Sequence, residues 1–182
     1  MHSAFNLANY SFRHIEKLNK CTNLNFPDLP VADSVNAETR SRMMSKIRSQ
    51  DTKPELQVRR HLHARGLRYV LGGAGLPGRP DIVLPRWKVA VFVHGCFWHW
   101  HACHLSRLPA SNRKFWRAKL NSNQTRDAVS LLSLLSAGWR VATIWECSLR
   151  GKSAKDHLPK MLDDLAGWIR GPRKSMVFES GT

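Results

Sequence analysis

Acidic residues are scarce in this chain. Its 182 residues hold 13 Asp and Glu against 29 Lys and Arg, a formal net charge of +16. That excess points to a polyanionic partner. Cysteine is scarce too, at four residues; these could make two disulfides, but nothing places the chain in an oxidising compartment, and Cys96, Cys103 and Cys147 sit in or near a histidine-rich block. No apolar run approaches the ~20 residues a membrane-spanning helix needs. The opening MHSAFNLANYSFRHIEK lacks the basic-then-apolar order of a secretory signal. We therefore expect a soluble, cytoplasmic protein with no membrane partner. Internal repeats and long low-complexity tracts are also missing. Hydrophobic content of 42% and charged content of 23% are ordinary for a globular protein, so the charge is displayed on a fold and a histone-tail-like polycation is excluded.

Residues 1–36 carry scattered Asn, Pro and Ser without sustained periodicity and read as an extension, with Phe26-Pro27-Asp28-Leu29-Pro30 as punctuation. Within it a short helix from Tyr10 to Leu18 is conceivable, and Cys21 has no nearby partner. The next stretch, Ala37 to Lys46, is rich in helix formers and basic residues. Asp51, Thr52 and Pro54 then mark a helix start, and Gly66 ends a helix running from Pro54 to about Ala64. On it Leu56, Val58 and Leu62 are partly helix-spaced, and Arg59, Arg60 and Arg65 are expected to reach solvent.

From Leu67 the period changes. Leu67–Leu71 reads as a strand, Gly72 to Pro80 as a loop, and Asp81–Leu84 and Val89–Val93 as paired strands around Pro85. A loop rich in histidine and aromatics spans His94 to Pro109. It leads into a helix from about Arg113 to Ser136, a buried strand Trp139–Trp145, a last helix from about Ala154 to Ile169, and a polar tail over 171–182. The alternation predicts a three-layer α/β domain with a mixed sheet over 37–170.

Cys96, His101 and Cys103 lie close together in Gly95-Cys96-Phe97-Trp98-His99-Trp100-His101-Ala102-Cys103, and Cys147 follows the next strand. Thiolates and imidazole are the donors of tetrahedral zinc, and three local ligands with one distant ligand would staple the loop to the sheet as a structural site. His104 is the alternative to His101, and buried packing thiols are the bland alternative to a metal.

Asp81 opens a strand after the glycine-rich loop, and the neighbouring strand ends at His94. With a helix carboxylate such as Glu55, these can converge on a divalent cation; hard cations such as magnesium favour oxygen ligands and keep waters. His99 and His94 are both candidates for activating a water. On spacing alone, Asp81 as a loop cap and Glu55 as a helix-start residue are the stronger readings.

Nine basic residues between Arg40 and Arg68, among them Arg40, Arg42, Lys46 and Arg48, face only Asp51 and Glu55. From His104 to Gln124 there are five, including Arg113, Lys114, Arg117 and Lys119, with no acid. Two such runs in a strongly basic chain read as phosphate contacts. Phe97, Trp98 and Trp116 lie where core packing is not assured. They are either wedges that enter a base stack or covers for the metal loop.

Leu76-Pro77-Gly78-Arg79-Pro80-Asp81, Phe92-Val93-His94-Gly95-Cys96-Phe97-Trp98-His99, Phe115-Trp116 and Trp145-Glu146-Cys147-Ser148-Leu149-Arg150-Gly151 occur in this order. Together they resemble the very-short-patch-repair DNA mismatch endonucleases, over about Ala37 to Arg170. The resemblance implies a restriction-endonuclease-like α/β core, a structural zinc, and catalytic magnesium, taken as two ions. It implies nicking of one strand 5′ to the thymine of a T:G mismatch left when 5-methylcytosine deaminates. Restriction-like nucleases usually carry Asp followed by Glu-x-Lys; here Phe92-Val93-His94 stands in the second place.

By motif position, Asp81 looks like the magnesium-binding aspartate and the Val93 carbonyl a further oxygen ligand. His99 looks like the general base, with His94 and Glu55 as auxiliary groups that orient water or phosphate. Cys96, His101, Cys103 and Cys147 look like the zinc set. Phe97, Trp98 and Trp116 look like the aromatic wedge on the major-groove side, with Met44 and Ile47 as its minor-groove counterpart. The implied partners are mismatched duplex DNA and mismatch-repair proteins, with the chain acting as a monomer. A DNA-binding module without catalysis and a restriction-type nuclease are the alternatives.

Two departures stand out. Trp100 and Ala102 interrupt what is often a fuller histidine run. The family pattern also starts near Val31-Ala32-Asp33, so residues 1–30 are expected to be a dispensable arm or the product of a misassigned start codon.

Overall fold

The computed structural model describes residues 36, 38–39, 42, 50–150, 154–172 and 176–178. The assignments made above to Arg40, Met44, Lys46, Ile47 and Arg48, to residues 1–35 and to Cys21 lie outside the described residues. All those described belong to the unit 32–182.

A mixed four-stranded sheet organises an α/β fold. Its strands are β1 (Ile82–Leu84), β2 (Val89–His94), β3 (Arg140–Trp145) and β4 (Met176–Phe178), and they lie side by side in that order. β1 runs antiparallel to β2, whereas β2, β3 and β4 are parallel neighbours. Because successive side chains of a strand point to opposite faces, β2 serves two cores. Val89 and Val91 pack with Val58 and Leu62 of α1 (Lys53–Ala64) and with Leu162, Leu165 and Ile169 of α4 (Ala154–Arg170). Ala90 and Phe92 pack instead with Leu134 of α2 (Arg113–Ser136). Each fully buried large aliphatic side chain contributes about 1.5–3 kcal/mol, so β2 is the element both cores need.

The helix limits follow local chemistry. Thr52 caps α1 through a reciprocal pair: its hydroxyl accepts the Glu55 N–H, and the Glu55 carboxylate accepts the Thr52 N–H. Beyond the end of α1, Gly66 takes a φ of 76°, which a residue with a Cβ adopts only with strain. α3 (Glu146–Leu149) is a single turn placed directly after β3.

Three expectations are corrected. Residues 67–71 form no strand; Val70 alone bridges to Val83, by two backbone hydrogen bonds of 2.8 and 2.9 Å. Val70 and Leu71 are exposed, so their apolar pattern finds no sheet face to cover before the chain turns at Gly72–Gly75. The stretch read as a polar tail supplies β4, whose Phe178 is buried. Arg59 does not reach solvent. It shares the inward face with Glu55, Val58 and Leu62, and is 8% exposed.

Candidate active site and metal centre

The end of the sheet beside Asp81 is shaped by a proline. The pairing of β1 with β2 begins at Ile82 opposite Val91, and Pro80 and Asp81 precede the strand. Val83 turns its N–H and carbonyl to Val70. By the alternation of antiparallel hydrogen bonds Val93, like Val89 and Val91, turns its N–H and carbonyl to the β1 side. Proline has no N–H, so it cannot donate to the Val93 carbonyl. The Val93 N–H donates instead to Oδ2 of the Asp81 carboxylate at 2.6 Å. A carboxylate and the carbonyl of Val93 are thereby held at one strand end, both of the oxygen type that hard cations take. Burial pushes the Asp81 carboxyl above its ordinary range. The Val93 N–H and the positive charges of His99 and Arg59 offset this in part.

β2 ends at His94, and the loop after it returns His99 so that the two imidazoles stack in parallel with centroids 3.7 Å apart. The Nδ1 of His99 lies 2.6 Å from Oδ2 of Asp127 on α2. A carboxylate only accepts, so Nδ1 carries a proton, and in the neutral imidazole the lone pair is therefore on Nε2. α2 grips the same loop at two further points. The side-chain amides of Asn123 and Gln124 donate to the carbonyls of Trp98 and Trp100 at 2.8 and 3.2 Å. His94, His99 and Asp127 together could also hold a metal ion.

From the other side α1 contributes Glu55, 3% exposed. One carboxylate oxygen takes the Thr52 N–H and the other an ion pair with Arg59. Arg59 also reaches Asp51 at 2.5 Å, and Asp51 stands in the left-handed region at φ 55°. The structure thus brings Asp81, Val93, His94 and His99 together, whereas the printed contacts of Glu55 are with Thr52 and Arg59 and not with any of these.

Behind this lies the sulfur centre. Cys96, His101, Cys103 and Cys147 each offer a donor atom, all within 4.8 Å of one another. His101, not the exposed His104, completes the set. Cys147 Sγ is 3.5 Å from His101 Nδ1, and the Cys147 N–H donates to Cys96 Sγ at 3.3 Å. Donors about 2.0–2.3 Å from a tetrahedral ion lie within such spacings, so the residues fit a closed metal site. Burial pushes the Cys96 and Cys103 thiols up, and a cation is what would reverse that. Trp145 stacks on His101 with ring centroids 4.2 Å apart.

Phe97, Trp98 and Trp116 form one edge-to-face cluster with centroids 5.1 to 6.1 Å apart. Phe115, 61% exposed, joins at Trp116. Lys114 and Lys119 are exposed beside it, while Arg113 and Arg117 are half-buried. Arg42 is exposed and pairs with Glu38 at 3.5 Å.

Sequence reasoning missed Asp127 and misread Arg59. Asp127 had a signal, as the one acid in the 113–136 helix. Arg59 had a weaker one, its i, i+4 spacing from Glu55.

A profile described as DNA mismatch endonuclease Vsr matches residues 32–105. Type II nicking enzyme V.XorIIP of Xanthomonas oryzae pv. oryzae is 41% identical over 134 residues, covering 73% of this chain and 98% of its own length. DNA mismatch endonuclease Vsr of Escherichia coli is 39% identical over 152 residues, or 82% of this chain and 96% of its own. Type II nicking enzyme V.NaeI of Lentzea aerocolonigenes is 44% identical over 112 residues, 59% of this chain and 67% of its own.

Proposed function

The chain belongs to the Vsr family of DNA mismatch endonucleases, and from that premise we propose that it nicks one strand of duplex DNA 5′ to the thymine of a T:G mismatch. The reaction is magnesium-dependent phosphodiester hydrolysis, and it begins repair of deaminated 5-methylcytosine on a restriction-endonuclease-like three-layer core. The observation that carries this reading is the grouping of Asp81, the Val93 carbonyl and the His99–Asp127 pair at one sheet end.

Asp81 and the Val93 carbonyl would hold magnesium, which when bound polarises the scissile phosphate. His99 Nε2 takes the proton of the attacking water as its oxygen bonds to phosphorus and a P–O ester bond breaks. Asp127 fixes the tautomer that leaves Nε2 free and stabilises the imidazolium that results. His94 and Glu55 serve as auxiliary polar groups. Cys96, His101, Cys103 and Cys147 would hold zinc, which pins the loop bearing His99 to α3. Phe97, Trp98 and Trp116 enter the base stack, with Met44 and Ile47 opposite. A mismatched step yields to that wedge at lower cost than a matched one. Arg40, Arg42, Lys46, Arg48, Arg113, Lys114, Arg117 and Lys119 contact phosphates.

The test is incubation with magnesium and matched or T:G duplexes bearing a methyltransferase target. One nick in the T:G duplex alone is expected. No nicking of any duplex would leave a binding module, and equal cleavage of matched DNA would indicate a restriction-type nuclease.

A further inference from the structure

Trp145 touches both the sulfur centre and the histidine pair, and the mechanism above leaves it unused. It closes β3, and the parallel register sets it beside His94 at the end of β2. The residue is buried. One face of its indole lies on the His101 imidazole, with centroids 4.2 Å apart and planes 13° from parallel. The same ring meets His94 at 5.3 Å and His99 at 6.5 Å, each at an interplanar angle of 69°. The two angles agree because His94 and His99 are themselves parallel, with centroids 3.7 Å apart. A single indole thus sets the tilt of the histidine pair relative to a residue of the Cys/His set.

Packing alone does not ask for this arrangement. Trp145 also clusters with Cys96 and Cys147, and an apolar side chain of similar bulk would fill that space. A flat, rigid ring adds directional contacts, because aromatic groups hold stacked and edge-to-face geometries. The other grips on His99 come from α2. Asn123 and Gln124 hold the carbonyls on either side of it, and Asp127 holds its Nδ1. Trp145 acts instead from the sheet, where its neighbour Ile144 pairs with Val93. It therefore ties the histidines to the strand end that carries the Val93 carbonyl.

We propose that Trp145 is a positioning residue of the phosphodiester site: stacked on His101, it passes the geometry of the closed Cys/His centre to His94 and His99. It thereby holds the His99 ring at the angle from which Nε2 reaches the attacking water. The inference deepens the reading of His99 as general base and rests on it. A reacting group displaced by about 1 Å loses about 10²-fold in rate, so a ring that fixes this angle matters to the rate more than to binding.

The experiment compares zinc-loaded full-length wild type, Trp145→Phe and Trp145→Leu. Zinc content, affinity for a T:G duplex and the single-turnover nicking rate at saturating duplex are measured. The cross-relaxation peak between the His94 and His99 imidazole protons is read by NMR without DNA. Trp145→Leu should keep zinc and affinity, lose about 10²-fold in nicking rate and weaken that peak. Trp145→Phe keeps a ring face and should lie between it and wild type. A wild-type rate or an undiminished peak in Trp145→Leu would overturn the proposal. A loss of zinc or affinity equal to the loss of rate would also overturn it, since the indole would then only prop the loop. Should Trp145→Leu fail to fold, Trp145→Phe decides: a slower rate at unchanged affinity supports the proposal, and a wild-type rate overturns it. His99→Ala separates the two levels. Nicking that survives it removes the general-base reading; if nicking is lost while both Trp145 variants match wild type, only the role of Trp145 fails.

Discussion

At Asp81 two demands oppose each other: burial favours the neutral carboxyl, and a magnesium ligand must be ionised. The raised pKa means that the folded state binds this proton more tightly than the unfolded chain does. The resulting stabilisation is complete below the unfolded value and is lost as pH rises through the folded one. In metal-free protein at neutral pH, Asp81→Asn should therefore raise the melting temperature above that of wild type. The same variant should lose about three orders of magnitude in nicking rate, the several kcal/mol attributable to metal-assisted phosphate chemistry. The acid limb of the pH–rate profile should lie above the ordinary carboxylate range and move down as magnesium is raised. Asp127→Asn offers an amide where His99 needs an acceptor. It should lower the single-turnover rate by about 10²–10⁴-fold with mismatch binding unchanged; an equal loss in binding would instead mean that Asp127 only supports the loop. The acid–histidine chemistry was legible in the sequence because Asp81, His94 and His99 lie in one short stretch. Asp127 and Arg59 were not, since their roles depend on which helix face meets the sheet.

Among the elements, the loop before β1 and the loop after β2 carry the site, and each is fixed by identifiable devices. Gly78 has a φ of 73°, and a Cβ there would fall 2.6 Å from the Ser130 Cβ on α2. Gly78→Ala should thus destabilise the fold by about 1–3 kcal/mol, visible in a thermal melt, and displace Asp81 enough to slow nicking further. The loop of residues 95–105 depends on the Cys/His set and on the α2 amides. His101→Ala should release the metal, measurable as lost zinc, and reduce nicking together with thermal stability. Undiminished zinc with a stable fold would refute the ligand assignment. Helices α1, α2 and α4 followed from caps, glycines and apolar spacing, as did β2 and β3. Residues 67–71 had a strand's pattern but no partner beyond Val83. β4 is three residues long in a polar context, so parallel pairing with β3, a long-range contact, decided it.

For the molecule as a whole, the charge of +16 sets the mode of association. If six or more phosphates are contacted, affinity for any duplex should fall by about 10³-fold or more between roughly 50 and 200 mM salt. A binding isotherm series gives the slope, and a flat response would remove the electrostatic reading of the basic runs. Among the described residues no helix is long and apolar enough to cross a membrane, consistent with the short apolar runs of the sequence. By itself the sequence determined the α/β alternation, the family, the polyanionic partner and the Cys/His set, because each depends on composition or on residues near in the chain. Tertiary structure decided the rest. The Val93 N–H meets Asp81 only because β1 pairs with β2, His99 meets Asp127 only because α2 crosses back over the loop, and Arg59 is buried only because α1 packs its Glu55 face inward. Those contacts join residues far apart in the chain, and packing geometry, not local propensity, selects them.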